Sequence, residues 1–287
     1  MKTRFIVNPR SGRAVAHLSE IRAFADRRAA EVVMTTHRGH ATELAADAAA
    51  RGIALVVAVG GDGTLNEVAS ALVGTDVTLG LVPCGSGDGL GRHLGIHGPV
   101  RRALNLLDQG HSRWIDSGTA DGHPFFTAAG IGFEAEIAAR FNRLQRRGFL
   151  RYLSTAAMAW REWQPREYEV TSPFGMERFR AFTLVVANAN QYGNGAKIAP
   201  RALVDDGALD LTAIPPITLV NALPMVARLF GGRIDTARGL LTRRAGEFRI
   251  VAEGPMLLHT DGEVHSAGSR IEFRVRPASL RILVPPG

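Results

Sequence analysis

The sequence predicts a chain of two domains, an α/β domain with a parallel sheet followed by a mostly β domain. Its 287 residues exceed a typical single domain, and two domains of roughly 100–150 residues each are the natural expectation. Through about residue 113, short apolar runs alternate with stretches of helical periodicity, which is the pattern of βαβ units. Beyond that point, alternating apolar and polar stretches separated by turn dipeptides indicate antiparallel sheet.

Four strands and three helices are expected in the first domain. The clearest strand is Ile53 to Val59, because an unbroken apolar run of this length is typical of a strand buried on both faces. The other strand-like runs are Arg4 to Val7, Glu31 to Thr35 and Val77 to Val82. Apolar stripes at helical spacing lie between them, over 15–25, 41–48 and 64–73. These elements predict Rossmann-like layers.

The second domain is expected to be built from hairpins. Asp121-Gly122 separates Trp114 to Ala120 from His123 to Ala129, and an Asp-Gly pair is a strong two-residue hairpin signal. In the same way, the turn sequence 173–175 separates Glu167 to Thr171 from Glu177 to Ala187.

Helical stretches near 134–163 and 217–243 interrupt these strands, and the last apolar run, Leu280 to Val284, is expected to return to the first domain. The predicted division is therefore 1–117 together with 280–287 for the α/β domain, and 118–279 for the β domain.

Composition limits the classes of partner. The formal net charge of +7 and the pI near 10.6 favour contact with an anion such as a nucleotide, acidic lipid headgroups or nucleic acid. Nucleic acid is disfavoured, because the sequence has no zinc-ligand spacing, no RNP aromatic motif and few aromatic residues beside its basic clusters.

A cytoplasmic location is expected. The single cysteine, Cys84, excludes an internal disulfide and fits a reducing compartment. We interpret it as an inert apolar residue, because no base flanks it. The run Phe5-Ile6-Val7 is too short for a signal peptide, and no stretch approaches the ~18–20 apolar residues that span a bilayer.

The most informative segment is 60–68, GGDGTLNEV, which follows the apolar run at 53–59. Three glycines in four positions let the backbone approach an anion closely at the positive end of the next helix. The segment is neither GxGxxG nor GxxxxGK[ST], so another kind of nucleotide fold is required. Thr64 and Glu67 also fit a capping box.

GGDGTLNEV resembles the hallmark of the diacylglycerol kinase catalytic family, which includes sphingosine and ceramide kinases and is more distantly related to NAD kinases and phosphofructokinases. The resemblance implies a phosphofructokinase/NAD kinase-like nucleotide-binding domain followed by a β-sandwich, with the active site between them. It also implies ATP and Mg²⁺ as cofactors.

Three further segments match nucleotide-contacting positions of that family. Residues 8–12 are similar to its NPxSG segment, Thr35 begins a T-x-x-x-G-[HD]-A segment, and Ser86 occupies the hydroxyl position of the loop 83–92. The nucleotide-binding residues that the resemblance implies are Asn8, Pro9, Arg10, Ser11, Gly12, Thr35, Gly60, Gly61, Asp62, Gly63, Thr64, Leu65, Asn66 and Ser86.

The loop 83–92 departs from the family pattern. Asp88 stands where the family has Asn, and Gly89 stands where it has an Asp of the active-site network. Asp88 is expected to replace that aspartate in part and to face the substrate. Glu134, in a segment similar to G-x-G-F-[DE]-A, is the second candidate for substrate recognition, although a helix-start glutamate favoured by the macrodipole explains it equally well.

The resemblance also implies a metal site and a catalytic base. PRALVDDGAL at 200–209 matches a family element that holds a structural Mg²⁺, here through the Asp206 carboxylate and the carbonyls of Leu203 and Ala208. Thr260-Asp261-Gly262-Glu263 matches the DGE element, with Glu263 as the general base and Asp261 as its support.

Nearby histidines are given no role. His259 and His265 flank the DGE element and are interpreted as spectators in an exposed turn. The pair His37 and His40 is interpreted as part of a solvated loop, because an isolated H-x-x-H lacks further metal ligands.

A lipid substrate requires contact with the bilayer surface, so peripheral association with the inner face of the membrane is expected. The helical stripe of Leu219, Leu223, Val226 and Phe230 is one candidate surface. The arginine-rich segment 140–151 is favoured over it, with the residues Arg143, Arg146, Arg147 and Arg151. Helices packed on the β domain, with their charged faces in solvent, are the alternative for both.

The leading hypothesis is an ATP-dependent lipid kinase that phosphorylates a primary hydroxyl of a diacylglycerol-like or sphingoid lipid. Two alternatives remain: a kinase of a soluble substrate, like NAD kinase, and a nucleotide-binding regulatory protein without catalysis. By analogy with bacterial relatives, a homodimer is expected.

Overall fold

The computed structural model describes residues 1–85, 87–142 and 149–286. The strands are β1 Thr3–Val7, β2 Glu31–Met34, β3 Leu55–Gly60, β4 Thr78–Pro83, β5 His111–Ala120, β6 His123–Phe125, β7 Ala128–Gly132, β8 Arg166–Ser172, β9 Gly175–Ala181, β10 Thr183–Ala187, β11 Leu209–Ile214, β12 Leu241–Ala245, β13 Glu247–Ala252, β14 Met256–Thr260, β15 Glu263–Ala267 and β16 Arg270–Val284. The helices are α1 Leu18–Arg27, α2 His40–Ala50, α3 Asp62–Leu72, α4 Gly89–His93, α5 Val100–Gln109, α6 Phe133–Asn142, α7 Phe149–Glu162 and α8 Leu219–Phe230.

The N-terminal part is an α/β layer structure, as predicted. Strands β2, β1, β3 and β4 form a parallel sheet in that order. Side chains of β3 alternate between two cores: Val56 and Ala58 pack with α2 and α3, while Val57 and Val59 pack with α1 and α5. This alternation is why the apolar run of β3 is continuous.

Strand β16 joins the two parts of the chain. It pairs antiparallel with β5 along most of its length, and on its other side it pairs antiparallel with β13 near its start and in parallel with β4 at Arg281 and Ile282. One ten-stranded sheet therefore extends from the α/β layers into the second domain. The return strand expected at 280–284 begins ten residues earlier, at Arg270, and β5 crosses the predicted boundary at 117/118.

A second sheet of six antiparallel strands has the order β12-β11-β10-β7-β14-β15. It packs against the C-terminal half of the ten-stranded sheet, so that Ile131 and Leu184 share a core with Phe248 and Phe273. A separate cluster packs α8, through Met225, with Val185 of the six-stranded sheet and with Phe182, which lies just before β10. The β-sandwich is therefore confirmed.

The predicted hairpin at Asp121-Gly122 is confirmed by the pairing of β5 with β6. Both residues have positive φ, +46° and +83°, as a type I′ turn requires. Two runs predicted as single strands are each divided: His123 to Ala129 gives β6 and β7, and Glu177 to Ala187 gives β9 and β10. Each pair of strands lies in two different sheets, so the chain crosses the sandwich between them.

The capping box expected at Thr64 and Glu67 is wrong. Helix α3 begins at Asp62 after Gly61, without a side-chain cap. The Glu67 carboxylate instead accepts hydrogen bonds from the backbone N–H groups of Gly39 and Ala41 at 3.0 and 3.2 Å. It therefore anchors the start of α2 rather than that of α3.

Among the described residues, no helix is both long and apolar enough to cross a bilayer.

Candidate active site

Three loops meet where β1, β3 and β4 end. The side chain of Asn8 donates to the Thr64 hydroxyl at 2.9 Å, and its backbone N–H donates to the carbonyl of Val59 at 3.0 Å. From the same loop, the N–H of Arg13 donates to the carbonyl of Cys84 at 3.2 Å. Because the carboxyl ends of parallel strands lie at one edge of a sheet, motifs far apart in sequence form one surface.

Glycines let these loops pack backbone to backbone. A Cβ at Gly85 would lie 2.6 Å from the Cα of Gly61, and one at Gly12 would lie 1.9 Å from the carbonyl oxygen of Cys84. Gly12 also has a φ of +51°, which favours glycine. The result is a concave backbone surface at the N-terminus of α3, the arrangement that binds anions.

The structure brings most predicted nucleotide residues to this surface. Ser11 lies beside Gly61, and the N–H of Arg10 donates to the Asn8 side chain. Leu65 is buried in the core. Thr35 is also buried, and its backbone N–H donates a hydrogen bond to the carbonyl of Val7. Ser86 lies outside the described residues.

Asp62 and Asp88 lie together beside the glycine turn. The Asp62 carboxylate accepts the N–H groups of Asp88 and Gly89, both at 3.0 Å. Burial, with the nearby charge of Asp62, raises the pKa of Asp88 to about 6. The Asp88 carboxyl therefore titrates closer to neutral pH than an exposed aspartate does.

Gly89, which departs from the family pattern, is required by packing. A Cβ at this position would lie 2.7 Å from the carbonyl oxygen of Tyr192. An aspartate at position 89 therefore does not fit this loop without a backbone shift, and Asp88 is the carboxylate that the loop supplies.

Asp261 connects the second domain with the glycine turn. Its carboxylate accepts the N–H groups of Phe126, Thr127 and Ala128 at 2.7, 2.9 and 3.0 Å, and the side-chain amide of Asn66 at 2.9 Å. Desolvation raises the pKa of Asp261, while the four N–H donors oppose that shift. In this arrangement Asp261 fixes the position of its own turn relative to α3.

Glu263 begins β15, directly after the Asp261-Gly262 turn. Its exposed carboxylate forms an ion pair with the guanidinium of Arg38. Arg38 precedes Gly39, whose N–H is bound by Glu67 of α3. The start of β15 is therefore tied through Arg38 to the loop before α2, and that loop is in turn tied to α3 through Glu67.

A network missed by the sequence analysis surrounds Glu134. One carboxylate oxygen of Glu134 accepts the hydroxyl of Tyr192 at 2.7 Å, and the other lies 2.8 Å from Nε2 of His259. Nδ1 of His259 accepts the N–H of Gly262 at 3.3 Å, so the neutral ring carries its proton on Nε2. The expectation that His259 lies in an exposed turn is wrong, because His259 is buried within β14.

His265 is also engaged. Its Nε2 lies 2.8 Å from the Thr260 hydroxyl, and its ring stacks on His123 with centroids 3.8 Å apart. Desolvation and the neighbouring His123 lower the pKa of His265. Both histidines that flank the DGE element therefore support the turn that presents Glu263.

The segment predicted to hold Mg²⁺ is ordered by Asp116, which accepts the N–H groups of Gly207 and Ala278 at 2.7 and 2.8 Å. Asp206 accepts the N–H of Ala208 and forms an ion pair with Arg244, while Leu203 is exposed. The hard oxygen donors suit Mg²⁺, but an ion at Asp206 requires Arg244 to move away.

His37 and His40 lie close to Glu43, and one ligand atom from each residue lies within 4.8 Å of the others. Nδ1 of His40 accepts the N–H of Thr36 at 3.1 Å, which leaves the proton of a neutral ring on Nε2. Metal binding through either nitrogen of His40 would require this hydrogen bond to break. Glu43 is nevertheless a third candidate ligand, so the expectation that the pair lacks further metal ligands is wrong.

Comparisons with known proteins agree with this geometry. Residues 2–120 match the diacylglycerol kinase catalytic domain, and residues 127–284 match the YegS C-terminal NAD kinase beta sandwich-like domain. A Pseudomonas fluorescens protein named "Probable lipid kinase YegS-like" is 32% identical over 276 residues, covering 93% of this chain and 91% of that protein.

The diacylglycerol kinase of Bacillus subtilis is 28% identical over 271 residues, covering 91% of this chain and 89% of its own. In fold, the chain is similar to a crystal structure of a diacylglycerol kinase from Bacillus anthracis, with a TM-score of 0.75 at 19% identity, covering 99% of this chain and 97% of that chain. The two matched domains and the identity along most of the sequence show that this chain belongs to the diacylglycerol kinase family, in its YegS-like group of lipid kinases.

Proposed function

We propose that this protein is an ATP-dependent lipid kinase that transfers a γ-phosphoryl group to a primary hydroxyl of a diacylglycerol-like or sphingoid lipid. The observation that carries the proposal is the hydrogen bond from Asn66 to Asp261. It joins the helix after the proposed phosphate-binding turn to the turn that carries Glu263, which supports a single site built from both domains.

ATP would lie against the backbone of 8–12 and 60–64. The glycines allow close approach, and the free N–H groups at the start of α3 face the anion. Asn8 holds the Thr64 hydroxyl at this surface. Mg²⁺ bound with the nucleotide would neutralise charge on the phosphates.

Glu263 would accept the proton of the attacking hydroxyl. The Arg38 guanidinium forms an ion pair with its carboxylate and holds it at the domain boundary. Both side chains are exposed, so the pair can separate when substrate enters the cleft. Asp261 acts as a positioning residue, because its four hydrogen bonds leave its carboxylate engaged in structure.

Glu134 would bind the acceptor end of the lipid, with Asp88 on the nucleotide side. A carboxylate that accepts the Tyr192 hydroxyl and lies 2.8 Å from Nε2 of His259 has a fixed place from which to accept a hydrogen bond from an alcohol. The enzyme would act on lipid at the inner face of the membrane as a peripheral cytoplasmic protein. These residues recognise a hydroxyl and leave the choice between glycerolipid and sphingoid lipid open.

A structural Mg²⁺ at Asp206, Leu203 and Ala208 is part of the proposal. Because Arg244 competes with the ion for the Asp206 carboxylate, Arg244→Ala should increase the rise in melting temperature that Mg²⁺ produces without nucleotide. If Mg²⁺ raised the melting temperature of Arg244→Ala and of Asp206→Ala equally, the ion would not bind at Asp206.

The two alternatives are distinguished by their products. A soluble-substrate kinase is favoured by the NAD kinase beta sandwich-like match over residues 127–284. A regulatory protein is favoured by Gly89. Labelled ATP should be offered with diacylglycerol, ceramide, sphingosine, monoacylglycerol and NAD. Labelled lipid supports the proposal, labelled NAD supports the first alternative, and nucleotide binding without turnover supports the second.

A further inference from the structure

Helix α8 presents an apolar stripe to solvent. Val220, Leu223, Val226 and Phe230 are 87, 77, 49 and 47% exposed. They recur every three or four residues, so their side chains lie on one side of a helix of 12 residues. Large apolar side chains grouped in this way mark an interaction surface.

The stripe is a stable feature of the fold. The opposite side of α8 packs through Met225 and Leu229 into the cluster that covers the six-stranded sheet. Thr218 and Asn221 form a complete capping box at the start of α8, which fixes where the helix begins. The exposed side is therefore held outward while the buried side anchors the helix.

The charged residues of α8 and its flanks are basic. From 215 to 234 the sequence contains Arg228 and Arg233 and no Asp or Glu, and the next residue, Asp235, pairs with Arg201. Arg233 is exposed, Arg228 is half-buried with its guanidinium donating to the carbonyl of Pro224 at 3.3 Å, and guanidinium groups pair with phosphate. A partner with an apolar interior and an anionic surface complements this arrangement.

The helix belongs to the same side of the domain as the proposed acceptor site. The cluster that holds Leu229 also includes Phe133 and Tyr192. Phe133 precedes Glu134, and Tyr192 donates to the Glu134 carboxylate. Helix α8 therefore covers the same core that supports the element that would receive the lipid hydroxyl.

We infer that α8 is the membrane-docking element, and that its apolar stripe enters the interface of an anionic bilayer with Arg228 and Arg233 on the headgroups. The inference rests on the proposed lipid-kinase function. A second copy of the chain fits less well: four side chains on one helix expose on the order of 400 Å², about half of what each partner contributes to a standard interface. Interfacial helices need only their apolar face to enter the bilayer.

The site differs from the one that the sequence analysis favoured. Of the arginines named there, Arg143, Arg146 and Arg147 lie outside the described residues. The inference for α8 depends on exposure, which sequence periodicity does not reveal.

The test is sedimentation of the full chain with vesicles of phosphatidylcholine containing phosphatidylglycerol. The double variant Leu223→Ser/Phe230→Ser should lower binding at least about tenfold, because two apolar side chains no longer enter the interface. The matched control is Phe174→Ser, since Phe174 is 81% exposed on the β8–β9 turn and should leave binding unchanged. Arg228→Gln/Arg233→Gln should weaken the salt dependence of binding.

Activity separates this inference from the proposed function. With a short-chain diacylglycerol that is soluble as a monomer, the double variant should turn over at the rate of the unchanged protein, and with vesicle substrate it should be slower. Equal vesicle binding by the double variant overturns the docking inference. Loss of a dimer in sedimentation velocity with unchanged vesicle binding also overturns it, in favour of a second copy. Absence of turnover with every lipid, while vesicle binding still depends on α8, overturns the proposed function alone.

Discussion

Asn66 donates its side-chain amide to the Asp261 carboxylate at 2.9 Å, across 195 residues of sequence. Asn66 belongs to the helix after the glycine turn, and Asp261 belongs to the turn that presents Glu263. The bond links α3 of the first domain directly to the β14–β15 turn of the second. The Asp261 carboxylate also accepts hydrogen bonds from three backbone N–H groups of the segment 126–128.

Replacing Asp261 should therefore destabilise the whole chain. Asp261→Asn places an amide donor among four N–H groups and removes the charge that they stabilise. We expect the free energy of unfolding in urea to fall by about 2–4 kcal/mol. The matched variant Asn66→Ala removes one donor and should cost less. Equal stability of Asp261→Asn and the unchanged protein would show that this carboxylate is not structural.

Asp88 should make stability depend on pH. Its pKa is raised in the fold from 3.8 to about 6, so the folded state binds more protons than the unfolded state between these values. The contribution of Asp88 to stability is therefore fully present below about pH 4 and is lost as the pH rises to about 6. Asp88→Asn should gain melting temperature relative to the unchanged protein at pH 7.5 and not at pH 4. A gain of the same size at both values would contradict the raised pKa.

Gly89→Asp, which restores the residue typical of the family, should not improve activity. Its Cβ would lie 2.7 Å from the Tyr192 carbonyl oxygen, so the loop must shift at a cost in stability of about 1–3 kcal/mol. Melting temperature and lipid phosphorylation should both fall. A clear increase in kcat would instead show that Gly89 impairs catalysis, which supports the regulatory alternative.

His259 should act on substrate binding through Glu134. His259→Ala removes the group that lies between Gly262 and Glu134, and we expect an increase in KM for lipid of about tenfold, with the Kd for ATP unchanged. Tyr192→Phe, which removes only the hydroxyl, tests the other oxygen of Glu134 and should have a smaller effect of the same kind. A loss of ATP affinity in either variant would show a general structural role instead.

The sequence predicted the α/β layers, and it predicted that the loops after β1 and β3 lie together, for identifiable reasons. The apolar run of β3 is continuous because both of its faces are buried, and such a run is visible without structure. The segments at 8–12 and 60–66 follow strands of one parallel sheet, so strand order alone brings them together.

The features that the sequence did not predict depend on contacts between distant residues, which leave no local sequence pattern. The chain crosses between sheets at Phe182 without a glycine or proline, so two strands look like one. His259 lies beside Thr260 and Asp261 in a polar stretch that resembles an exposed turn, and only the pairing of β14 with β7 and β15 buries it. The ion pairs of Glu263 with Arg38 and of Asp206 with Arg244 join residues far apart in sequence.

Glu263→Gln, measured by transfer of labelled phosphate from ATP to the lipid substrate, tests the central claim most directly. The variant keeps size and hydrogen bonding but cannot accept a proton, so kcat should fall by about 10²–10⁴, while the Kd for ATP stays within about twofold of the unchanged protein. Arg38→Ala, which removes the ion-pair partner and leaves the carboxylate, is the control and should retain turnover. Near-native phosphorylation of the lipid by Glu263→Gln would contradict the account.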